Sequence, residues 1–263
     1  MIGVTIGIGP VHKALASISA KCFNETTGLE VVILTEKELR QTDLLHPAAL
    51  KLKVFDFVKD DSIIYFDADW FSVKQWNPTI YENDEEIIAC HDFISNYDWP
   101  EQYSTSKKNY IEYCFNNDLQ LSNKNHLRTD YIEEIEQFID SKDSFTKWIN
   151  TGFWIVNRNN HFQWLEYSLK YYIESIGHHF QYYEQPAMNV ALMNLNLKVK
   201  YLDRKYNILV ATRKKWPDFL IGLHVKIKHN GTFSDLVMQN KITNVEQVKD
   251  YFQIELKNEI SSK

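Results

Sequence analysis

Cysteine is scarce in this chain, with three residues (Cys22, Cys90 and Cys114) in 263. Their spacing matches no zinc ribbon and no redox pair, so a disulfide-stapled or zinc-held fold is excluded and a reducing compartment is expected. Basic excess is also missing. The net charge is −6 and the pI about 5.9, which argues against a nucleic-acid-binding protein. No apolar run reaches the roughly 18 residues of a membrane span. The start of the chain shows no basic region followed by an apolar stretch, as a secretion signal would. A cytoplasmic protein without a membrane span is the expectation. Internal repeats and low-complexity stretches are absent as well.

What is present suits a globular core. Hydrophobic residues make up 44% and charged residues 24%, and the length fits one domain over 1–263. Aromatic residues reach 14%, with 15 Tyr and 7 Trp. Most serve packing, but flat rings also suit the apolar faces of sugars.

The pattern along the chain alternates strands and helices. Val4-Thr-Ile-Gly-Ile8 reads as a buried strand that Gly9-Pro10 ends, and Leu15, Ile18, Cys22 and Phe23 mark a helix after it. Glu30 to Leu34 is a second strand. Pro47 opens a helix with Leu50, Val54, Phe55 and Val58 on one face. Ser62 to Phe66 is a third strand and Glu86 to Cys90 a fourth. This order predicts an α/β fold with a mainly parallel sheet and helices on both faces. Residues 95–148 are polar and helical in pattern, and read as a helical insertion or lid. A strand resumes over Gly152–Val156, a helix over Asn160–Ser175, and another from Pro186 to about Leu195. Leu223–Lys228 reads as a late strand, and the tail from Val245 as an exposed helix.

The chemistry concentrates at Ile63-Ile-Tyr-Phe-Asp67-Ala68-Asp69. An apolar strand delivers two carboxylates separated by one small residue. Two acids this close repel unless a cation lies between them. Oxygen donors in a loose geometry suit Mn²⁺ or Mg²⁺, whose shell substrate phosphates often complete. Ligands in such sheets bind beyond the carboxyl ends of strands, where Asp67 falls. Phosphohydrolases of the haloacid dehalogenase type also carry Asp-x-Asp after an apolar strand. They place it on the first strand, whereas two strands precede it here, and Ser72 is out of register with their threonine.

Together with three later segments, this run resembles glycosyltransferase family 8, the retaining enzymes that include glycogenin and bacterial galactosyltransferases. Asn150-Thr-Gly152-Phe-Trp-Ile-Val-Asn157 is similar to the family's donor-sugar strand. Glu184-Gln185-Pro-Ala-Met-Asn189 is similar to its Asp-Gln-x-x-x-Asn helix start, and His229-Asn-Gly231 to its late His-x-x-Gly element. The similarity runs from about residue 1 to 232, interrupted by 95–148. It implies a GT-A (Rossmann-like) nucleotide-diphospho-sugar transferase fold. It also implies transfer of a hexose from a UDP-sugar to a carbohydrate or glycoconjugate hydroxyl with retention, dependent on Mn²⁺ or Mg²⁺. The implied metal ligands are Asp67, Asp69 and His229. His224 competes with His229, although no glycine follows it closely. In His229-Asn-Gly231 the glycine comes one residue early and the family's later Lys-Pro-Trp is absent, leaving Lys226 or Lys228 for the phosphate.

By the same resemblance Lys51, with Lys53 as rival, contacts the donor. Asp67 and Ala68 contact the nucleotide, Asn150, Thr151 and Gly152 line the sugar, and Asp92 lies near its hydroxyls. Gln185 lies under the anomeric carbon with Glu184 beside it. Gly7, Ile8 and Gly9 form a loop for uridine, although both glycines also suit a tight strand-to-helix turn. Two alternatives stay open. One is an inverting GT-A transferase with Asp92 or an acid of the insertion as base. The other is a non-catalytic nucleotide- or sugar-binding protein of the same fold.

Overall fold

β1 (Ile2–Ile6) runs straight into a helix start that its sequence spells out. Gly9 takes a φ of 79°, and Pro10 occupies the first turn of α1 (Pro10–Thr27), where its missing N–H costs nothing. Gly28, at φ 74°, stops the helix by donating its N–H to the Asn24 carbonyl. Leu15, Ala16, Ser19, Cys22, Phe23 and Thr26 form the buried stripe of α1. The structure, a computed structural model, describes residues 1–44, 46–82, 84–91, 149–176, 184–210, 216, 219–225 and 231–254. The expected helical insertion at 95–148 lies outside them.

β2 (Val31–Leu34) ends on Thr35, which opens the short α2 (Glu36–Leu39) with a reciprocal cap: the Thr35 backbone N–H donates to the Glu38 carboxylate at 2.8 Å. The helix expected after Pro47 is a 3-10 turn, Pro47–Lys53, that passes into α3 (Val54–Phe57). β3 (Ser62–Phe66) follows, and then β4 (Trp70–Ser72), with only Asp67, Ala68 and Asp69 between them. Beyond β5 (Ile87–His91) the description resumes at β6 (Ile149–Asn157), α4 (Arg158–Ile176) and α5 (Glu184–Asn194). β7 (Val199–Leu202), a 3-10 turn at Arg204–Tyr206, β8 (Ile208–Leu209), β9 (Gly222–His224), α6 (Gly231–Met238) and α7 (Val245–Phe252) complete it.

Among the described residues, six strands form the main sheet in the order β2-β1-β3-β6-β5-β7. Five run the same way; β6 runs against them, antiparallel to both β3 and β5. His91, the last residue of β5, pairs directly with Ile149, the first of β6. Alternation sorts side chains to the two faces. Ile63, Tyr65, Trp154 and Val156 join a core with the Pro47–Lys53 turn, α4 and α5. Ile64, Phe66, Phe153 and Ile155 join another with Phe23 of α1. Helices therefore cover both faces, as expected.

Of a second, three-stranded sheet, β4-β9-β8, only β9 was foreseen, as the late strand expected from Leu223, whose residues 226–228 lie outside the described ones; β4 and β8 are too short to show a period. α1 holds this sheet in place. The Ser19 hydroxyl donates to the Trp70 carbonyl, and the Thr26 hydroxyl donates to Ser72 Oγ at 2.6 Å. The tail helix also departs from expectation. α7 is packed rather than exposed: Val248 is fully buried, and the Phe252 ring lies 5.0 Å from Phe233. Among the described residues no helix is long and apolar enough to cross a membrane.

Candidate metal and donor site

Asp67, Ala68 and Asp69 bridge the two sheets, and their geometry follows from that. The Asp67 N–H donates to the Gly152 carbonyl of β6 at 2.9 Å, which continues the main sheet by one bond. On the other side β9 pairs antiparallel with β4, with Trp70 opposite His224. The Val225 N–H donates to the Asp69 carbonyl at 2.8 Å, which locks this register. His224 Nε2 consequently lies 3.3 Å from Asp69 Oδ1 and 3.9 Å from Asp67 Oδ2.

These three residues each offer one donor atom, and the donor atoms lie within 4.8 Å of one another. Two carboxylates and an imidazole make a fitting set for Mn²⁺ or Mg²⁺. The carboxylates are 29% and 18% exposed, open enough for an ion to arrive. Gly152 keeps the space clear. A Cβ there would lie 2.6 Å from His224 Cε1 and 2.7 Å from Asp67 Oδ2, closing the cradle. The sequence put His229 first as the third ligand; His229 lies outside the described residues. The imidazole that they bring to the pair is that of His224. Its signal was the register between two three-residue strands, which spacing along the chain does not display.

Lys51 comes from the Pro47–Lys53 turn and is buried. Its ammonium donates to Asp67 Oδ1 at 3.1 Å, Glu184 Oε1 at 3.1 Å and the Thr151 carbonyl at 3.5 Å. It also lies 5.0 Å from the centre of the Tyr65 ring. Burial alone would lower the lysine pKa, but Asp67 and Glu184 outweigh it and raise the pKa. Burial likewise opposes ionisation of Asp67. Lys51, His224 and the Tyr65 hydroxyl, which donates to Oδ1 at 2.8 Å, nonetheless hold this carboxyl below the usual aspartate range. Asp67 Oδ1 is thus occupied by protein donors, and Oδ2 is the oxygen that faces the cluster. Tyr65 was missed in the sequence because its ring reads as core. The rival Lys53 instead pairs with Asp56 at 3.4 Å, on the surface.

The first turn of α5 delivers Glu184 to Lys51 and Gln185 to Thr151. Gln185 Oε1 accepts from the Thr151 N–H at 3.1 Å. Asn189, one turn on, stitches α5 to β6: it accepts from the Ile149 N–H at 2.8 Å and donates to the Ile149 carbonyl at 3.1 Å. The Asn150 side-chain oxygen, Oδ1, turns inward. It accepts from the Gly152 N–H at 3.0 Å and from Asn207 Nδ2 at 2.9 Å. Asn207 was not foreseen. It follows the Arg204–Tyr206 turn, which Trp70 Nε1 fixes by donating to the Tyr206 carbonyl at 2.9 Å.

Gly7 packs tightly against α1, since a Cβ would meet Ala16 Cβ at 3.0 Å, and Ile8 is half-buried. The Gly9 N–H donates to Glu36 Oε1 at 3.0 Å. Ala68, the middle residue of the bridge, is buried, and Asp92 lies outside the described residues.

The sequence matches no protein-family profile and no curated protein. Solved structures do resemble it. The galactosyltransferase LgtC, in complex with donor and acceptor sugar analogues, superposes with a TM-score of 0.52 at 11% identity, over 96% of this chain and 100% of that one. An active-site mutant of LgtC gives 0.50 at 11%, over 86% and 87%. The bifunctional glycosyltransferase WbbM gives 0.51 at 10%, over 92% of this chain and 45% of that one. At such identities the likeness is one of fold, and the fold is the GT-A, Rossmann-like fold of these glycosyltransferases.

Proposed function

We propose that this chain is a metal-dependent glycosyltransferase that moves a hexose from a UDP-sugar to an acceptor hydroxyl, with retention of anomeric configuration. The observation that carries the reading is the convergence of Asp67, Asp69 and His224 where β3 of a GT-A sheet ends. In this reading these three residues hold Mn²⁺ or Mg²⁺. When bound, the cation neutralises the diphosphate leaving group.

The remaining work falls to the chain's own groups. Lys51 keeps Asp67 ionised and Glu184 in place. Asn150, Thr151 and Gly152 line the donor sugar, with Asp92 near its hydroxyls, and Gly7, Ile8 and Gly9 take the uridine. Gln185, anchored on Thr151, faces the anomeric carbon. A neutral amide is a poor nucleophile, which disfavours a covalent intermediate on it. Front-face attack, with the departing phosphate accepting the acceptor's proton, retains configuration and asks no protein base of the site.

Isothermal titration of UDP tests the reading. Mn²⁺ should tighten UDP binding at least ~10-fold, about 1.4 kcal/mol, and Asp69→Ala should abolish the gain. UDP binding indifferent to both the metal and Asp69 would sink the proposal. A screen of UDP-sugars for slow Mn²⁺-dependent hydrolysis then identifies the donor, and the anomer formed separates retention from inversion.

A further inference from the structure

Asn207 lies in a part of the chain that the proposed chemistry leaves unused, and its side chain sits between two others. Nδ2 donates to Asn150 Oδ1 at 2.9 Å, and Oδ1 lies 3.2 Å from His224 Nδ1. The backbone fixes the sense of this chain of contacts at one end. The Gly152 N–H donates to the same Asn150 atom at 3.0 Å. A peptide N–H only donates, so the Asn150 atom facing it is the oxygen and not the amide nitrogen. The Asn207 atom facing that oxygen is then its NH₂. What Asn207 turns toward His224 is its carbonyl oxygen, which only accepts. His224 Nδ1 must carry a proton, and in a neutral imidazole this leaves the lone pair on Nε2. Nε2 is the atom directed at the carboxylates, 3.3 Å from Asp69 Oδ1.

We propose that Asn150 and Asn207 form an amide relay that fixes the tautomer and orientation of His224, so that its Nε2 lone pair is presented to a divalent cation held with Asp67 and Asp69. The cation half of this statement rests on the metal-site reading above; the tautomer half does not. The need for a relay follows from the carboxylates themselves. Left alone, they favour the opposite tautomer, in which Nε2–H donates to Asp69 and the ligand atom is blocked. An acceptor on the far side of the ring reverses that preference, as partners of ligating histidines commonly do. Asn207 is a positioning residue that acts through His224.

The test uses ¹⁵N-histidine-labelled protein without metal, at alkaline pH, in long-range ¹H–¹⁵N correlation spectra. The His224 signals are assigned by their loss in His224→Ala. The parent should show a protonated Nδ1 and an unprotonated Nε2. Asn207→Asp loses the donor to Asn150 but keeps the acceptor facing Nδ1–H and should keep this pattern, whereas Asn207→Leu should invert or average it. Mn²⁺ titrations of the same proteins should show ~10–100-fold weaker binding for Asn207→Leu and a change of only a few-fold for Asn207→Asp. A parent with the proton on Nε2 overturns the relay without any variant. An Asn207→Leu protein that keeps both the parent tautomer and the parent Mn²⁺ affinity overturns it too. A parent with the Nδ1–H tautomer that binds no Mn²⁺, with or without UDP, upholds the relay and overturns the metal-site reading.

Discussion

Lys51 meets two carboxylates, a carbonyl and a ring face within one buried contact set, so its removal is costly in a definable way. Lys51→Met leaves Asp67 and Glu184 facing each other across an apolar gap. Both retain some contact with water, and the expected loss is about 3 kcal/mol, the low end for a broken buried pair, read by urea denaturation. A loss below about 1 kcal/mol, within the range of exposed pairs, would show that the lysine does not hold the two carboxylates together. His161 gives a separate, pH-dependent prediction. It is buried; Nδ1 accepts from the Asn157 N–H at 3.0 Å, and Nε2 lies 3.1 Å from the Glu85 carbonyl. Burial holds its pKa below the ordinary histidine value. The unfolded chain therefore takes up the proton first, and stability falls as pH drops below the unfolded value of about 6.5. The slope is at most about 1.4 kcal/mol per pH unit for this group and levels off below its folded pKa. His161→Gln should flatten the difference in urea midpoint between neutral and mildly acidic buffer. An unchanged slope in that variant would place the proton elsewhere, with His46 and His91, whose pKa values are also lowered by burial, as the other groups of the same sign.

Elements long enough to repeat a period were legible in the sequence, and shorter ones were not. α1 announces itself through Gly9-Pro10, a buried stripe and Gly28, and β3 through four apolar residues before Asp67. β4 and β8 span three and two residues, too few for alternation to register, and β9 was read only as a strand, with no partner to set its register. That is why Asp67 and Asp69 could be read directly, while His224 stood only as a rival to His229 and Asn207, beside β8, was not read at all. The direction of β6 was hidden for a similar reason: a fully buried strand looks the same read either way. Gly222 shows how tightly the small sheet is fitted. A Cβ there would overlap the Tyr206 carbonyl oxygen and lie 2.5 Å from Trp70 Cζ2. Gly222→Ala should cost about 3 kcal/mol and perturb the near-UV circular dichroism of Trp70, because the turn before Asn207 must move away. Wild-type stability in that variant would mean that the turn yields freely.

At the scale of the molecule, the aspartate bridge has β3 of one sheet before it and β4 of the other after it. A ligand held by Asp67, Asp69 and His224 spans both sheets, so its binding energy should appear in the unfolding of the whole chain. With Mn²⁺ present throughout, UDP at about 100 times its dissociation constant should add ~2.7 kcal/mol and raise Tm by roughly 5–10 °C. Differential scanning calorimetry reads this shift, and Asp69→Ala should remove it. A shift that survives Asp69→Ala would locate the ligand elsewhere. The pairing of His91 with Ile149 has a further consequence. β5 ends and β6 begins on one rung of the sheet, so joining them is a matter of loop closure rather than of strand register. Loop-closure cost grows only with the logarithm of length. The rung between His91 and Ile149 should therefore persist when the length of chain between them is changed.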